Sequence, residues 1–303
     1  MHFPVANIEL NPAIPFLIGL AVSVFSSPAG ISGGFLILPI CVNFLNFSSI
    51  AVSPTNYIFN IVAMPSGLWR LAREKRLLWG LGCLLALGSL PGITVGMILR
   101  NTWFKDAGDF KTFVALVLAA LALNLARSIR QIDLTCARAE KAFLDSKKDQ
   151  AAATAPTTGS CVHGRFSFIF GGEKFSVSIW ALMAVSLLVG LAGGIYGIGG
   201  AAIIAPVLIS HFRLPIYVVN GAALFAGWIA AGFGLVSYIL LWPIISGQAP
   251  VYPDWKLGLL LGVGGLVGVY TGSRAQRYIA PKPLKILMLL LIAGMALQSF
   301  GLF

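Results

Sequence analysis

Two glycine-rich stretches with the same spacing constrain the fold of this chain more than any other feature. The first is GISGGFLILP, from Gly30 to Pro39, and the second is GIGGAAIIAP, from Gly197 to Pro206. They align without a gap at an offset of 167 residues, each inside an apolar run, which indicates an internal duplication. Because a glycine costs a helix about 1 kcal/mol relative to alanine, the matched clusters predict two helix breaks in corresponding halves.

Composition places both stretches in a membrane. Hydrophobic residues make up 58% of the 303 residues and charged residues only 10%, whereas soluble proteins average about 25% charged. The net charge of +11 comes from Lys and Arg in short segments between apolar runs, as at membrane boundaries. We therefore expect a polytopic protein whose environment is the lipid bilayer, and no nucleic-acid partner.

Apolar runs predict the same order of elements in each half. A broken region is followed by three spans, and the predicted segments are 13–47, 51–69, 77–99 and 112–126, then 177–212, 216–241, 257–273 and 284–303. The polar stretch between the halves contains AAATAPTTGS, a composition typical of disorder. We predict a first membrane repeat over 1–126, a cytoplasmic and partly disordered connector over 127–176, and a second membrane repeat over 177–303.

Positive charge favours hairpins over full crossings for the broken regions. If each region crosses once, 13 Lys and Arg residues lie inside and 8 outside, but if each enters and leaves by one face, 17 lie inside and 4 outside. The second arrangement fits better because Lys and Arg are retained on the cytoplasmic side. The predicted fold is an all-α polytopic membrane protein with two inverted repeats, each a Gly-broken helical hairpin plus three transmembrane helices, and with the N-terminus outside.

Hairpins that enter from opposite faces bring their glycine apices together near the midplane. The returning helices begin there, and a helix N-terminus favours anions through its dipole and its N–H groups. Ser53 and Asn220 fall at equivalent positions of the two repeats. We predict an anion site formed by Gly30, Ser32, Gly33, Gly34, Ser53, Asn56, Tyr196, Gly197, Gly199, Gly200 and Asn220, with Pro39 and Pro206 as structural motif residues.

Each of these residues also has an ordinary structural explanation. Glycines in membrane helices allow close helix packing, and serine, threonine and asparagine bond their own backbone or a neighbouring helix. The same alternative applies to other polar residues of these segments, namely Ser26, Ser27, Thr55, Asn60 and Ser237.

Other chemistry has less support. No acidic residue falls in a predicted span, so coupling through an intramembrane carboxylate is not expected, although a substrate could carry the proton itself. The four cysteines show no metal-ligand spacing, and we expect neither a metal nor a cofactor. Hydrolase motifs are absent, so we do not expect an enzyme; a hydrolase that pairs a hairpin serine with His211 is the enzymatic alternative.

The doubled motif resembles the TauE/SafE family of anion exporters. GISGGFLILP and GIYGIGGAAIIAPVL are each followed, about a dozen residues later, by a Val-polar segment, AVSPTN at Ala51 and VVNGAA at Val218. The resemblance covers nearly the whole chain outside 127–176. It places the family's Gly-rich motifs on Gly30, Gly33, Gly34, Pro39, Gly197, Gly199, Gly200 and Pro206. This chain departs from the pattern at Ser32 and Ala201, where the family often has a third consecutive glycine.

The resemblance implies a secondary transporter of the cytoplasmic (inner) membrane. It would export a small sulfur-containing anion such as sulfite, thiosulfate or an organosulfonate like sulfoacetate. An importer or channel with the same site is one alternative. A non-transporting membrane scaffold organised by its connector is another, and a homo-oligomer is compatible with all three.

Overall fold

The chain folds as a mostly helical protein. The computed structural model describes residues 1–29, 32–45, 47, 49–103, 107–130, 134–146, 159–276 and 278–299. The helices are α1 (Ala13–Ser26), α2 (Gly34–Asn43), α3 (Val52–Arg73), α4 (Trp79–Thr102), α5 (Ala107–Arg130), α6 (Leu134–Ser146), α7 (Ile179–Tyr196), α8 (Ala201–Ser210), α9 (Ile216–Val236), α10 (Trp242–Ser246), α11 (Trp255–Gln276) and α12 (Pro281–Ser299). The strands are β1 (His2–Phe3), β2 (Ile8–Glu9), β3 (Ser160–Val162), β4 (Arg165–Phe170) and β5 (Glu173–Ser178).

Four helical segments of the described chain are long and apolar enough to cross a membrane. They are α4, α7, α11 and the 31-residue segment Ile216–Ser246, in which a π-helical turn joins α9 to α10. This agrees with a polytopic membrane protein. The strands are an addition to the predicted all-α fold, and they lie at the N-terminus and in the connector.

Both predicted helix breaks are present. The first separates α1 from α2 through a 3₁₀ turn at Ser27–Ala29, and the second separates α7 from α8. At a rise of 1.5 Å per residue, α1, α2 and α8 are about 21, 15 and 15 Å long, short of the roughly 30 Å hydrocarbon core, whereas α7 reaches about 27 Å. The second break begins at Gly197, because α7 continues helically through Gly193 and Gly194.

The first helix of each half packs against a helix of the other half. α1 of the first half packs on α11 of the second, and α7 of the second half packs on α4 of the first. Likewise α3 packs on α11 while α9 packs on α4, and α3 and α9 contact each other at the centre. These contacts are close: a Cβ on Gly92 would meet the carbonyl oxygen of Leu187, and a Cβ on Gly264 would meet that of Phe16. The close-packing explanation of glycine therefore holds for these helix pairs.

A buried ion pair ties the junction of α3 and α4 to the second half. Arg76 is 1% exposed, pairs with Glu74 at 3.1 Å and donates to the Gln276 side-chain oxygen at 2.6 Å. Its guanidinium also lies 5.4 Å from the centre of the Tyr217 ring. Arg76 is thus a packed residue, because the ends of α9 and α11 cover it.

The N-terminal segment is fixed by Asp254. Its carboxylate accepts the N–H groups of Val5 and Ala6 at 3.1 and 3.2 Å and that of Leu257, in the first turn of α11, at 3.1 Å. The Asp254 N–H in turn donates to Thr55 Oγ1 near the start of α3, at 2.8 Å. The β1–β2 hairpin and the first turns of α3 and α11 therefore lie at one end of the molecule.

The connector carries folded structure. β3, β4 and β5 form an antiparallel sheet whose β4–β5 turn contains Gly171 and Gly172 with φ of 59° and 82°, as in tight hairpin turns. Phe166 packs against Gly80 at the start of α4. The α6 carboxylate of Glu140, 4% exposed, accepts the Ile216 N–H at the start of α9 at 3.0 Å. Of the stretch predicted to be disordered, residues 151–158 lie outside the described residues.

Candidate anion site

The first break is held by a serine. Ser32 Oγ accepts the Gly34 N–H at 3.2 Å and donates to Asn60 Oδ1 on α3 at 2.6 Å. Gly33 has a helical φ of −55°, so its backbone does not require glycine. Space does: a Cβ there would lie 2.8 Å from Ser23 Oγ and 3.0 Å from the Phe59 ring. Gly30, predicted as a site residue, lies outside the described residues.

The second break is a left-handed glycine turn. Gly197, Gly199 and Gly200 have φ of 79°, 72° and 79°. Side chains rarely adopt this region because their Cβ crowds the following carbonyl, so three such residues within four positions demand glycine. The Gly197 N–H closes α7 by donating to the Gly193 carbonyl at 2.8 Å, and Gly200 immediately precedes α8.

Asn56 of α3 joins the two breaks. Its Nδ2 donates to the carbonyl oxygen of Gly34 at 3.0 Å and to that of Gly197 at 3.0 Å. One side chain therefore satisfies a backbone acceptor from each half of the chain. The two breaks therefore lie side by side.

Three other predicted residues converge on the same place. Tyr196 donates its hydroxyl to the Phe35 carbonyl in the first turn of α2 at 3.2 Å. Asn220 of α9 donates to the Ser27 carbonyl in the first break at 3.4 Å. Ser53 lies against Gly197, since a Cβ added to Gly197 would clash with Ser53 Oγ. The second half thus reaches the first break, and the first half reaches the second.

Pro39 and Pro206 lie inside α2 and α8, one to two turns beyond the breaks.

Several polar atoms around the breaks are buried and lack a hydrogen-bond partner among the described residues. They are Ser23 Oγ, Ser26 Oγ, Asn56 Oδ1, Asn60 Nδ2 and Asn220 Oδ1. An unpaired polar group in the interior costs roughly 1 to 3 kcal/mol, so such groups normally mark a partner such as water or a ligand. None of these side chains is charged.

The backbone N–H groups of α2 contribute less than expected. The N–H of Gly34 is bonded to Ser32 Oγ, that of Phe35 to the Ser32 carbonyl at 3.1 Å and that of Leu36 to the Gly33 carbonyl at 3.0 Å. The helix dipole remains, but these donors are used locally. A ligand at the first break would meet mainly side-chain groups.

Two residues at the site were not anticipated, and two predicted neighbours serve their own helices. Ser23 and Phe59 border Gly33. Only their helical spacing could have indicated them, because Ser23 lies one turn before Ser26 and Phe59 one turn after Asn56. By contrast, Thr55 and Ser237 bond the carbonyls four residues earlier, at 2.7 and 2.8 Å. For them the ordinary alternative holds.

His211 does not join this cluster. It is exposed, follows the last residue of α8 and packs edge-on against Phe212. Since α8 has ten residues, its end lies about 15 Å from the break at its start. This separation disfavours a serine and histidine pair at the site.

Comparison with known proteins completes the description. The family model for the sulfite exporter TauE/SafE matches residues 15–299. A Bacillus subtilis protein named "probable membrane transporter protein YunE" is 23% identical over 298 residues, which is 95% of this chain and 97% of that protein. A Methanocaldococcus jannaschii protein named "probable membrane transporter protein MJ0441" is 23% identical over 288 residues, 93% of this chain and 92% of that protein. No solved structure matches the chain at a significant level.

Proposed function

Because this chain belongs to the sulfite exporter TauE/SafE family of membrane transporters, we propose that it exports a small sulfur-containing anion across the cytoplasmic membrane. The candidates are sulfite, thiosulfate and organosulfonates such as sulfoacetate. The proposed site is the pair of helix breaks, with Ser32, Ser53, Asn56 and Asn220 among its binding side chains.

The observation that carries this proposal is the bond pattern of Asn56. Asn56 forms a hydrogen bond to Gly34 in the first half and to Gly197 in the second, so its position depends on both halves of the molecule. Buried polar groups without a partner among the described residues surround it, and a small polar ligand would satisfy them. Discontinuous helices that meet from two repeats are the usual substrate site of secondary transporters.

We further propose that the two halves are inverted repeats that rock about this site. The reciprocal packing of α1 on α11 and of α7 on α4 supports this, since the helix before each break packs against a helix of the other half. Binding groups contributed by both halves would then change their mutual distance during transport.

Flux measurements in proteoliposomes test the proposal. Purified full-length chain should move labelled sulfite, thiosulfate or sulfoacetate saturably, and acetate much less. Asn56→Ala should abolish this flux. Ser186→Ala, which removes a buried hydroxyl between α7 and α4 away from the breaks, is the matched control and should retain it. A folded wild-type protein that moves none of these anions would refute transport of sulfur anions.

Two alternatives are separated in the same preparation. An importer or channel would show the same selectivity, and accumulation against a gradient distinguishes a coupled carrier from a channel. A scaffold would show no flux and would depend on its connector. Deletion should be confined to 147–158, because α6 and the β3–β5 sheet contact α9 and α4.

Cysteine labelling tests the proposed orientation. Asn7 and Gly247 are exposed and should label from outside intact cells, whereas Lys75 should label only after the membrane is opened. Lys75 is preferred to its neighbour Arg76, since a cysteine at buried Arg76 would report packing rather than sidedness.

A further inference from the structure

The amide of Asn56 has a fixed orientation. Both of its nearby backbone partners, the carbonyl oxygens of Gly34 and Gly197, are acceptors, so the NH₂ group must face them. Oδ1 therefore points the other way, as an acceptor. It is buried in a side chain that is 2% exposed, and it has no donor among the described residues.

Asn60, one turn later on α3, presents the opposite group. Its Oδ1 accepts the Ser32 hydroxyl hydrogen at 2.6 Å, and that hydroxyl in turn accepts the Gly34 N–H. Because the Ser32 hydroxyl already accepts the Gly34 N–H, its own hydrogen needs an acceptor, and Asn60 Oδ1 supplies it. Nδ2 of Asn60 is then a buried donor without a partner among the described residues. The position that a Cβ of Gly34 would occupy lies 2.6 Å from Asn60 Nδ2 and 3.0 Å from Asn56 Oδ1. An unpaired donor and an unpaired acceptor thus lie side by side at the first break.

A donor and an acceptor placed side by side match a protonated form of an oxyanion better than its fully deprotonated form. A fully deprotonated oxyanion, or a sulfonate, offers only acceptor oxygens, and one of them would face Asn56 Oδ1 with like partial charge. A hydroxyl both donates and accepts, and so it matches the pair.

We infer that the site takes a singly protonated oxyanion, whose hydroxyl donates to Asn56 Oδ1 and accepts from Asn60 Nδ2. This rests on the proposed function and narrows its substrate class to hydrogen-bearing monoanions such as hydrogen sulfite. Each transported anion then carries one proton. Proton and anion move together without a carboxylate relay, which accounts for spans that lack acidic residues.

A matched pair of probes tests the inference on the purified full-length protein by calorimetry. Methylphosphonate and methanesulfonate have the same tetrahedral shape, but only the first carries an oxygen-bound proton as a monoanion. At about pH 6, methylphosphonate should bind about ten- to a hundredfold more tightly, the value of one hydrogen bond to a charged ligand. Sulfate, a dianion, should bind as weakly as methanesulfonate or more weakly.

The pH profile supplies the second measurement. Above the pKa at which methylphosphonate or sulfite loses its last proton, affinity should fall about tenfold per pH unit by mass action. Methanesulfonate keeps its charge over this range and reports any titration of the protein itself. Asn56→Ala should flatten the profile of sulfite, while Ser186→Ala should keep it. If Asn56→Ala melts below the assay temperature, the wild-type ligand series decides alone.

The outcomes separate the inference from the proposed function. Sulfite affinity that is constant from about pH 6 to about pH 9, or sulfate and methanesulfonate that bind as well as methylphosphonate at about pH 6, would overturn the inference and leave sulfur-anion binding intact. Failure of sulfite, thiosulfate and sulfoacetate to bind at any pH to a folded protein would overturn the proposed function itself.

Discussion

The two helix breaks align in sequence but differ in what they require of glycine. In the second break, Gly197, Gly199 and Gly200 adopt left-handed backbone conformations that only glycine takes readily. In the first break, Gly33 is helical, and the side chains of Ser23, Asn56 and Asn60 crowd the space beside Gly33 and Gly34. The second break is thus defined by its backbone and the first by its polar side chains. The two copies of one motif meet different physical demands.

The largest expected difference between the breaks follows from a single added methyl group. Gly197→Ala forces a left-handed residue and drives Cβ into Ser53, which we expect to cost about 2 to 6 kcal/mol from strain and overpacking together. Gly33→Ala keeps a favourable φ and displaces only Ser23 and Phe59, for about 1 to 3 kcal/mol. Thermal melting of both variants checks this order. Equal melting temperatures would show that backbone conformation does not distinguish the breaks.

Removal of the side chain that links the breaks comes next. Asn56→Ala removes the two hydrogen bonds to the carbonyls of Gly34 and Gly197, an expected loss of about 1 to 3 kcal/mol. Asn220→Ala removes one longer bond, to the Ser27 carbonyl at 3.4 Å, and should cost about 1 kcal/mol. Denaturant unfolding in detergent measures both losses. A greater loss for Asn220→Ala would mean that the second half, rather than α3, holds the breaks together.

The helices behind the breaks differ as well, and this difference depends on pH. α9 begins at the buried carboxylate of Glu140, whereas the start of α3 is held by Thr55 and Asp254. Burial raises the pKa of Glu140. This effect outweighs the nearby charge of Lys285 and the hydrogen bonds from Ile216 and Cys136 to the carboxylate, which lower the pKa. The folded protein therefore keeps this proton to a higher pH than the unfolded chain does. This contribution to stability is fully present in acid and is lost as pH rises through the raised pKa.

Melting temperature as a function of pH detects this effect. Glu140→Gln should remove the part of the decline towards neutral pH that Glu140 causes, while Glu9→Gln, at an exposed site in β2, should leave the slope unchanged. A slope unaltered by Glu140→Gln would show that folding does not raise the pKa of Glu140.

The smallest effect is expected at the far end of α8. Arg213 is exposed beyond the helix that follows the second break, about 15 Å from its start. Arg213→Gln should change anion affinity less than about twofold, because exposed charges are screened over this distance. A loss of tenfold or more in anion binding would indicate that the second break uses a cation after all.

Much of this architecture follows from local sequence. The helix breaks, the membrane environment and the candidate residues Ser32, Asn56 and Asn220 all follow from glycine clusters and polar residues within apolar runs. These signals survive folding because helix propensity and burial act over a few neighbouring residues. The hairpin in FSFIFGGEKFSVS has the same kind of signal, an alternating pattern around Gly-Gly, but the predicted connector contained no sheet.

Only the tertiary structure decided how these parts are used. The aligned Gly33 and Gly200 have opposite signs of φ, and no local feature of the two stretches distinguishes them. Asn56 reaches Gly197 across 141 residues, and Arg76 meets Gln276 across 200. These contacts depend on the packing of α1 on α11, α7 on α4 and α3 on α9. Helix packing is set by the fit of whole surfaces, which the order of residues in any one segment does not contain.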